Sequence, residues 1–147
     1  METKLYVKRL DPRAQVPAYQ TSGSAAMDLA AVLDRPLTIG PGERAGVPTG
    51  LSIALPDGGW VALVLPRSGL SIKHGITLSN SVGVIDSDYR GEIRVGLVNT
   101  SGAPYTIQPG DRVAQLMVMP VGRAQVEERQ ELPETRRGTG GFGSTGR

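Results

Sequence analysis

Four places in this sequence set polar side chains where the surrounding pattern calls for apolar ones. Asp28 sits inside Ala25-Ala26-Met27-Asp28-Leu29-Ala30, and its neighbours point to burial. A buried carboxylate is costly unless paired. Asp28 is therefore a turn acid or partner of a nearby arginine, or a carboxylate that faces a cation or a water. Gln115 interrupts Val113-Ala114-Gln115-Leu116-Met117-Val118. Buried, it needs partners for both amide atoms; otherwise it is an edge-facing surface residue. Arg67 and Ser68 follow the apolar run Trp60–Pro66 and open a short helical stretch. Free amides, a hydroxyl and a guanidinium together suit an anion such as phosphate, although a capped helix with an exposed arginine satisfies the same residues.

The fourth place is Ser79 to Gly91, which reads as strand, turn, strand with Asp86 and Asp88 at the second strand. An Asp-x-Asp pair suggests calcium, but Arg90 occupies a ligand position and Leu97 stands where a bidentate glutamate belongs. Turn acids remain the plain alternative. The carboxyl-terminal Gly138-Thr139-Gly140-Gly141-Phe142-Gly143 formally matches G-x-G-x-x-G. No strand precedes it and no helix follows, so it is not a dinucleotide turn. A protein-kinase glycine loop fails for want of everything downstream. Phe142 is the one phenylalanine, flanked by glycines and by Arg136, Arg137 and Arg147. Such a ring suits stacking on a base, worth about 1–3 kcal/mol; a stray ring on a loose terminus is the bland reading.

Elements must position these groups. Leu5 and Val7 begin a first strand pattern; Leu51, Ile53 and Leu55 share one face, and Pro56-Asp57-Gly58-Gly59 turns the chain into Trp60–Leu65. Ile93, Val95 and Leu97 alternate with Arg94 and Gly96, and Pro109-Gly110-Asp111-Arg112 leads into Val113–Met119. Ser101-Gly102-Ala103-Pro104 marks another turn. This rhythm predicts an all-β sandwich, jelly roll or barrel. One short helix is expected, capped by Ser68, running Gly69–His74 and closed by Gly75 in a left-handed turn. Residues 1–126 read as the globular domain, 127–136 as a connecting segment and 137–147 as a mobile arm. The eight steps from Glu134 to Phe142 reach about 26–29 Å, enough to close over a site on this chain or a neighbour.

Composition narrows the classes. Among 147 residues, 20 Gly and 11 Pro disfavour a helical bundle, and 39% hydrophobic content disfavours general disorder. With no Cys and a single histidine, His74, there is no thiolate nucleophile, disulfide framework or multi-histidine metal site. His74 is expected on the exposed side of the short helix. No apolar run approaches a bilayer span and no signal-peptide core is evident, so a cytoplasmic protein without membrane contact is expected. A net charge of +2 admits an anionic small ligand without demanding nucleic acid.

Taken in order, Ala25-Ala26-Met27-Asp28-Leu29, Pro66-Arg67-Ser68-Gly69-Leu70, Gly83-Val84-Ile85-Asp86-Ser87-Asp88-Tyr89-Arg90-Gly91, Gly110-Asp111-Arg112-Val113-Ala114-Gln115-Leu116 and Arg137-Gly138-Thr139-Gly140-Gly141-Phe142-Gly143-Ser144-Thr145-Gly146 resemble the motifs of the homotrimeric dUTPase family (deoxyuridine triphosphate nucleotidohydrolases). The resemblance implies a jelly-roll-like fold, a trimer with sites at subunit interfaces, Mg²⁺, and the reaction dUTP + water → dUMP + pyrophosphate. By that resemblance Asp86 orients and deprotonates the water and lies near the 3′-hydroxyl, and Tyr89 packs under the sugar and excludes a 2′-hydroxyl. Asn80 and the backbone of Val84, Ile85 and Asp86 read uracil. Arg67, Ser68, Gly69 and Gln115 hold phosphates, with Asp28 on the metal through water. Phe142 stacks on uracil while Arg137, Gly143 and Ser144 meet the triphosphate; Arg94 lies near the sugar. Ala26 and Ser71 depart from the residues common in the family, and neither is one of these groups. Three competing expectations are a dCTP deaminase, possibly bifunctional, a nucleotide-sensing regulatory protein, and a structural jelly roll of the capsid kind. The last leaves the polar intruders and the arm unexplained.

Overall fold

The computed structural model describes residues 2–144 and 146. Thr145 and Arg147, which the sequence placed in the arm, lie outside the described residues. Among the described residues, eleven strands and one helix make an all-β domain: β1 (Tyr6–Arg9), β2 (Met27–Ala30), β3 (Leu37–Ile39), β4 (Arg44–Pro48), β5 (Leu51–Ala54), β6 (Trp60–Leu65), α1 (Ser68–His74), β7 (Ile76–Leu78), β8 (Gly83–Ile85), β9 (Arg94–Asn99), β10 (Tyr105–Ile107) and β11 (Arg112–Pro120). They form antiparallel sheets in the orders β2-β11-β6-β8, β4-β9-β7, β1-β5 and β10-β3. No closed barrel forms among the described residues, so the sandwich side of the expectation holds rather than the barrel side.

No two strands consecutive in the chain pair with each other among the described residues. Pro56–Gly59 does turn the chain, with the Gly59 amide donating to Asp57 Oδ1 at 2.7 Å, but it closes no hairpin. β5 pairs back to β1 while β6 pairs with β11 and β8. The turn moves the chain from one sheet to another. The inner faces meet in one core, with Leu29, Ala114 and Leu116 from the four-stranded sheet and Val47, Val95 and Leu97 from the three-stranded one.

Asn99 ties the sheets where apolar packing alone would be unspecific. It is fully buried, yet its Nδ2 donates to Ile39 and Ala103 carbonyls and its Oδ1 accepts from the Ser101 amide and hydroxyl. All of its amide donors and both acceptor lone pairs are thereby used, which removes the desolvation cost of burying them.

The helix differs from its expected start. Arg67, not Ser68, holds the N-cap position with extended φ and ψ, Ser68 is the first helical residue, and no side chain caps the end. The C-terminus follows the expectation: Gly75 is left-handed (φ 66°) and its N–H bonds back to Leu70 and Ser71 carbonyls. His74 is exposed, its ring tilted 43° against Tyr105 at 4.8 Å. No described helix is long and apolar enough to cross a membrane.

A Cβ at Gly75 would stand 2.8 Å from the Ser101 backbone nitrogen. Gly75→Ala must therefore meet both a left-handed φ and a backbone collision. A loss of at least about 1–2 kcal/mol is expected, read as a lowered thermal midpoint.

Candidate active site

The four-stranded sheet sets the first group of residues. Across β2, β11 and β6, Asp28, Gln115 and Leu65 stand opposite one another in register. The chain leaves β6 at Leu65, so Pro66, Arg67 and Ser68 emerge beside that row. Gln115 Nε2 donates to the Pro66 carbonyl at 2.9 Å and pins the exit of the strand. Asp28 is half-buried, and Arg67 Nε sits 3.0 Å from its Oδ1. Both alternatives drawn for Asp28 are compatible with this geometry: it is paired with an arginine, and it borders a recess.

Arg112 is the residue that sequence patterns left without a role. Its Nη1 meets Asp28 Oδ2 at 3.2 Å, and its carbonyl accepts from Arg67 Nη1 at 3.1 Å. Arg112 and Gln115 are three positions apart, a spacing that in a regular strand sends side chains to opposite faces. The register slips between Arg112 and Ala114, however, a bulge that redirects Arg112 toward Asp28. The motif Gly110-Asp111-Arg112 was the available signal, but only the bulge shows where its arginine points.

Asp28, Arg67 and Gln115 line a recess of about 360 Å³ with Ser68, Gly69 and Lys73. Ser68 and Gly69 are exposed there at the start of α1. Arg67 has two of its roughly five N–H donors engaged, so donors remain for an anion. Gln115 likewise keeps a second amide N–H. On the far side of Arg67, burial pushes the Tyr105 phenol above its ordinary range, Asp111 adds to this and Arg67 opposes it. A neutral phenol does not compete for the guanidinium.

A second recess, about 240 Å³, is lined by Asn80, Gly83, Val84, Ile85, Tyr89 and Arg94. β8 forms the edge of the four-stranded sheet, with Gly83, Val84 and Ile85 opposite Val64, Leu63 and Ala62 of β6. A Cβ at Gly83 would approach Val64 Cβ to 3.1 Å, so close packing of β8 on β6 favours glycine here. Asp86 and Asp88 lie beyond the end of β8, in the turn closed by the Tyr89 amide on the Asp86 carbonyl at 3.1 Å. This corrects their expected place within a strand. Asp86 is exposed beside the recess, and no ion pair engages its carboxylate among the described residues. Arg94 is held by the Gly46 carbonyl at 3.2 Å, with Glu92 at 3.7 Å.

The two recesses share no lining residue. Nor, among the described residues, does the tail reach either. From residue 124 onward, every hydrogen bond of the described residues stays within the tail, as when Arg137 Nε donates to the Gly140 carbonyl at 2.8 Å. Phe142 is fully exposed, and Gly143 and Ser144 are exposed beside it. The expected contacts of Arg137, Phe142, Gly143 and Ser144 with the rest of the site are therefore not made within this one chain.

The arrangement defines a jelly-roll-like all-β protein with a cationic recess and a separate, less charged one. The dUTPase of Staphylococcus bacteriophage 80alpha with dUPNHPP shares the fold at a TM-score of 0.88 and 25% identity, over 97% of this chain and 98% of that one. The dUTPase family model matches residues 12–146, and the chain belongs to the dUTPase family. It is 51% identical to the deoxyuridine 5'-triphosphate nucleotidohydrolase of Aeromonas hydrophila, over 100% of this chain and 99% of that protein. It is 53% identical to the Burkholderia cenocepacia protein of the same name, over 98% and 99%.

The carboxylate of Asp28 offsets part of the charge of Arg67 and Arg112. Without divalent metal, tripolyphosphate is expected to bind Asp28→Asn several-fold more tightly than the parent chain. The gain should shrink with added salt. Titration calorimetry checks this; equal or weaker binding would mean that the carboxylate is not offsetting those guanidinium groups.

Proposed function

We propose that this chain hydrolyses dUTP to dUMP and pyrophosphate, at sites completed by neighbouring copies in a homotrimer. The observation that carries the reading is the cationic recess around Arg67 in a chain of the dUTPase family. The free N–H donors of Arg67 and Gln115, the Ser68 hydroxyl and the Gly69 amide hold the triphosphate. The second recess takes the nucleoside. Asn80 offers both a donor and an acceptor, as do the backbone groups of Val84, Ile85 and Asp86, and together they match the alternating edge of uracil. Tyr89 lies under the sugar and leaves no room for a 2′-hydroxyl, with Arg94 nearby.

Asp86 orients the water and takes its proton as the α–β anhydride is cleaved. Its open position suits that task, and catalysis rests on geometry more than on intrinsic basicity. The donor set fits Mg²⁺ carried in by the substrate. Each Asp28 oxygen already meets a guanidinium but keeps a further lone pair, which suits a water on the ion more than direct ligation. Asp28 would hold the ion through water, and the ion would supply charge neutralisation and alignment for the triphosphate.

Completion by other copies is supported by three features. The nucleoside recess is smaller than the roughly 300–1,000 Å³ usual for ligand pockets. The two recesses are separate within one chain. The tail exposes Val126 (93%), Leu132 (82%) and Phe142 instead of covering its own domain. Residues 1–126 form the body, 127–136 the connector and 137–147 an arm. Closed over a site, the arm stacks Phe142 on uracil, sets Arg137, Gly143 and Ser144 on the phosphates, and excludes water. The setting is cytoplasmic, and neither nucleic acid nor membrane is a partner.

Pyrophosphate release from dUTP, dCTP, dTTP and UTP with Mg²⁺ tests the reading, and fast release from dUTP alone is expected. Ammonia from dCTP, or tight dUTP binding without turnover, would overturn it. Asp86→Asn should still bind dUTP while kcat falls by about 10²-fold or more. A chain ending at residue 136 should be folded and poorly active. Mixed with Asp86→Asn chains under exchanging conditions, it should regain activity, because each defect is then supplied by another copy. No recovery in demonstrably mixed oligomers would count against shared sites.

A further inference from the structure

Tyr89 is half-exposed, and a half-exposed ring on a turn needs a support if it is to gate anything. The structure gives it one. Its hydroxyl donates to the Glu92 carbonyl at 3.1 Å, which folds the ring back across Gly91. A Cβ built on Gly91 would stand 2.5 Å from Tyr89 Cζ and 2.9 Å from Cε2, with the hydroxyl oxygen nearer still. Among the described residues other than its chain neighbours Arg90 and Glu92, these Tyr89 atoms are the nearest to that position.

The backbone at Gly91 has little freedom to move away. Ser52 Oγ donates to the Arg90 carbonyl at 2.7 Å, and the Ile93 amide donates to the Leu51 carbonyl at 2.8 Å. Glu92 Oε1 accepts from the Gly50 amide at 3.0 Å. Gly91 is thus moored to β5 on both sides. Its φ is not among the positive values of this chain, so an alanine is conformationally permitted there. The missing Cβ is required by the ring and not by the backbone.

We propose that Gly91 is a positioning residue for sugar selectivity: its bare α-carbon is the seat that sets how far the Tyr89 ring projects into the nucleoside recess. The proposal rests on the reading of Tyr89 as the sugar gate. A side chain at Gly91 lifts the ring, and the ring, being the movable partner, yields. The dUTP-to-UTP preference then changes while the fold does not.

The test compares the full-length parent with Gly91→Ala, Tyr89→Ala and the double variant. Each is assayed for kcat/KM on dUTP and on UTP, with thermal midpoints and tyrosine ring NMR of the free proteins. Gly91→Ala is expected to keep its midpoint within a few degrees, shift the Tyr89 ring resonances and cut the dUTP/UTP ratio by about tenfold or more. Added to Tyr89→Ala, it should change that ratio by no more than about twofold, because its effect passes through the ring. An unmoved ring, an unchanged ratio, or an equal loss on the Tyr89→Ala background overturns the seat. If Tyr89→Ala alone keeps the parent's ratio, the gate fails and the proposal with it, while the ring resonances still report whether the seat exists. Should Gly91→Ala unfold, the double variant recovers stability if the ring is the obstacle; a double variant equally unstable overturns the proposal.

Discussion

The register of β11 between β2 and β6 is the constraint on which the site depends. Gln115 faces Asp28 on one side and Leu65 on the other. That single row puts a carboxylate, an amide and the exit of β6 side by side. Slipping β11 by one residue would turn Gln115 into the core and Leu116 out of it, because side chains alternate with a period of two. Leu116 is fully buried and Ala114 is too, so the hydrophobic core itself opposes the slip. The polar row is thus held in place by the apolar residues on either side of it.

The bulge near Val113 adds a second layer to this arrangement. It lets Arg112 join Arg67 on Asp28 although the ordinary pleat would face it away. A half-buried carboxylate between two guanidiniums has its desolvation offset, and it fixes both arginines in direction. Both pairs are partly exposed, so their worth lies in geometry more than in stability, for which such pairs contribute about 0–1 kcal/mol. Arg67 is therefore held in a fixed direction while still carrying free donors.

The exposed tail and the two separate recesses have a common physical sense. Val126, Leu132 and Phe142 are apolar groups in water, and nothing among the described residues covers them. A site shared between copies, as proposed, would make its assembly depend on association and closure, keeping the reactive groups in water until substrate is held. The family membership of the chain and this geometry point the same way.

Local chemistry was legible in the sequence. Alternation at Leu51, Ile53, Val95 and Leu97 marked strands, and Gly75 marked the left-handed end of the helix. Polar intruders into apolar runs marked Asp28 and Gln115, and the ordered motifs marked Arg67, Asp86 and Tyr89. These signals lie within a few residues of one another. The short strands β3 and β10 carried too little alternation to stand out, and only their pairing, with Thr38 bonded to Thr106 across it, makes them strands. Tertiary structure alone decided that neighbouring strands do not pair, that Arg112 turns onto Asp28, and that buried Asn99 finds all its partners. It also placed Arg67 instead of Ser68 at the helix cap. The strand pairing, the turn of Arg112 onto Asp28 and the Asn99–Ile39 bond depend on contacts between residues far apart in the chain, where register and packing, not local propensity, set the free energy.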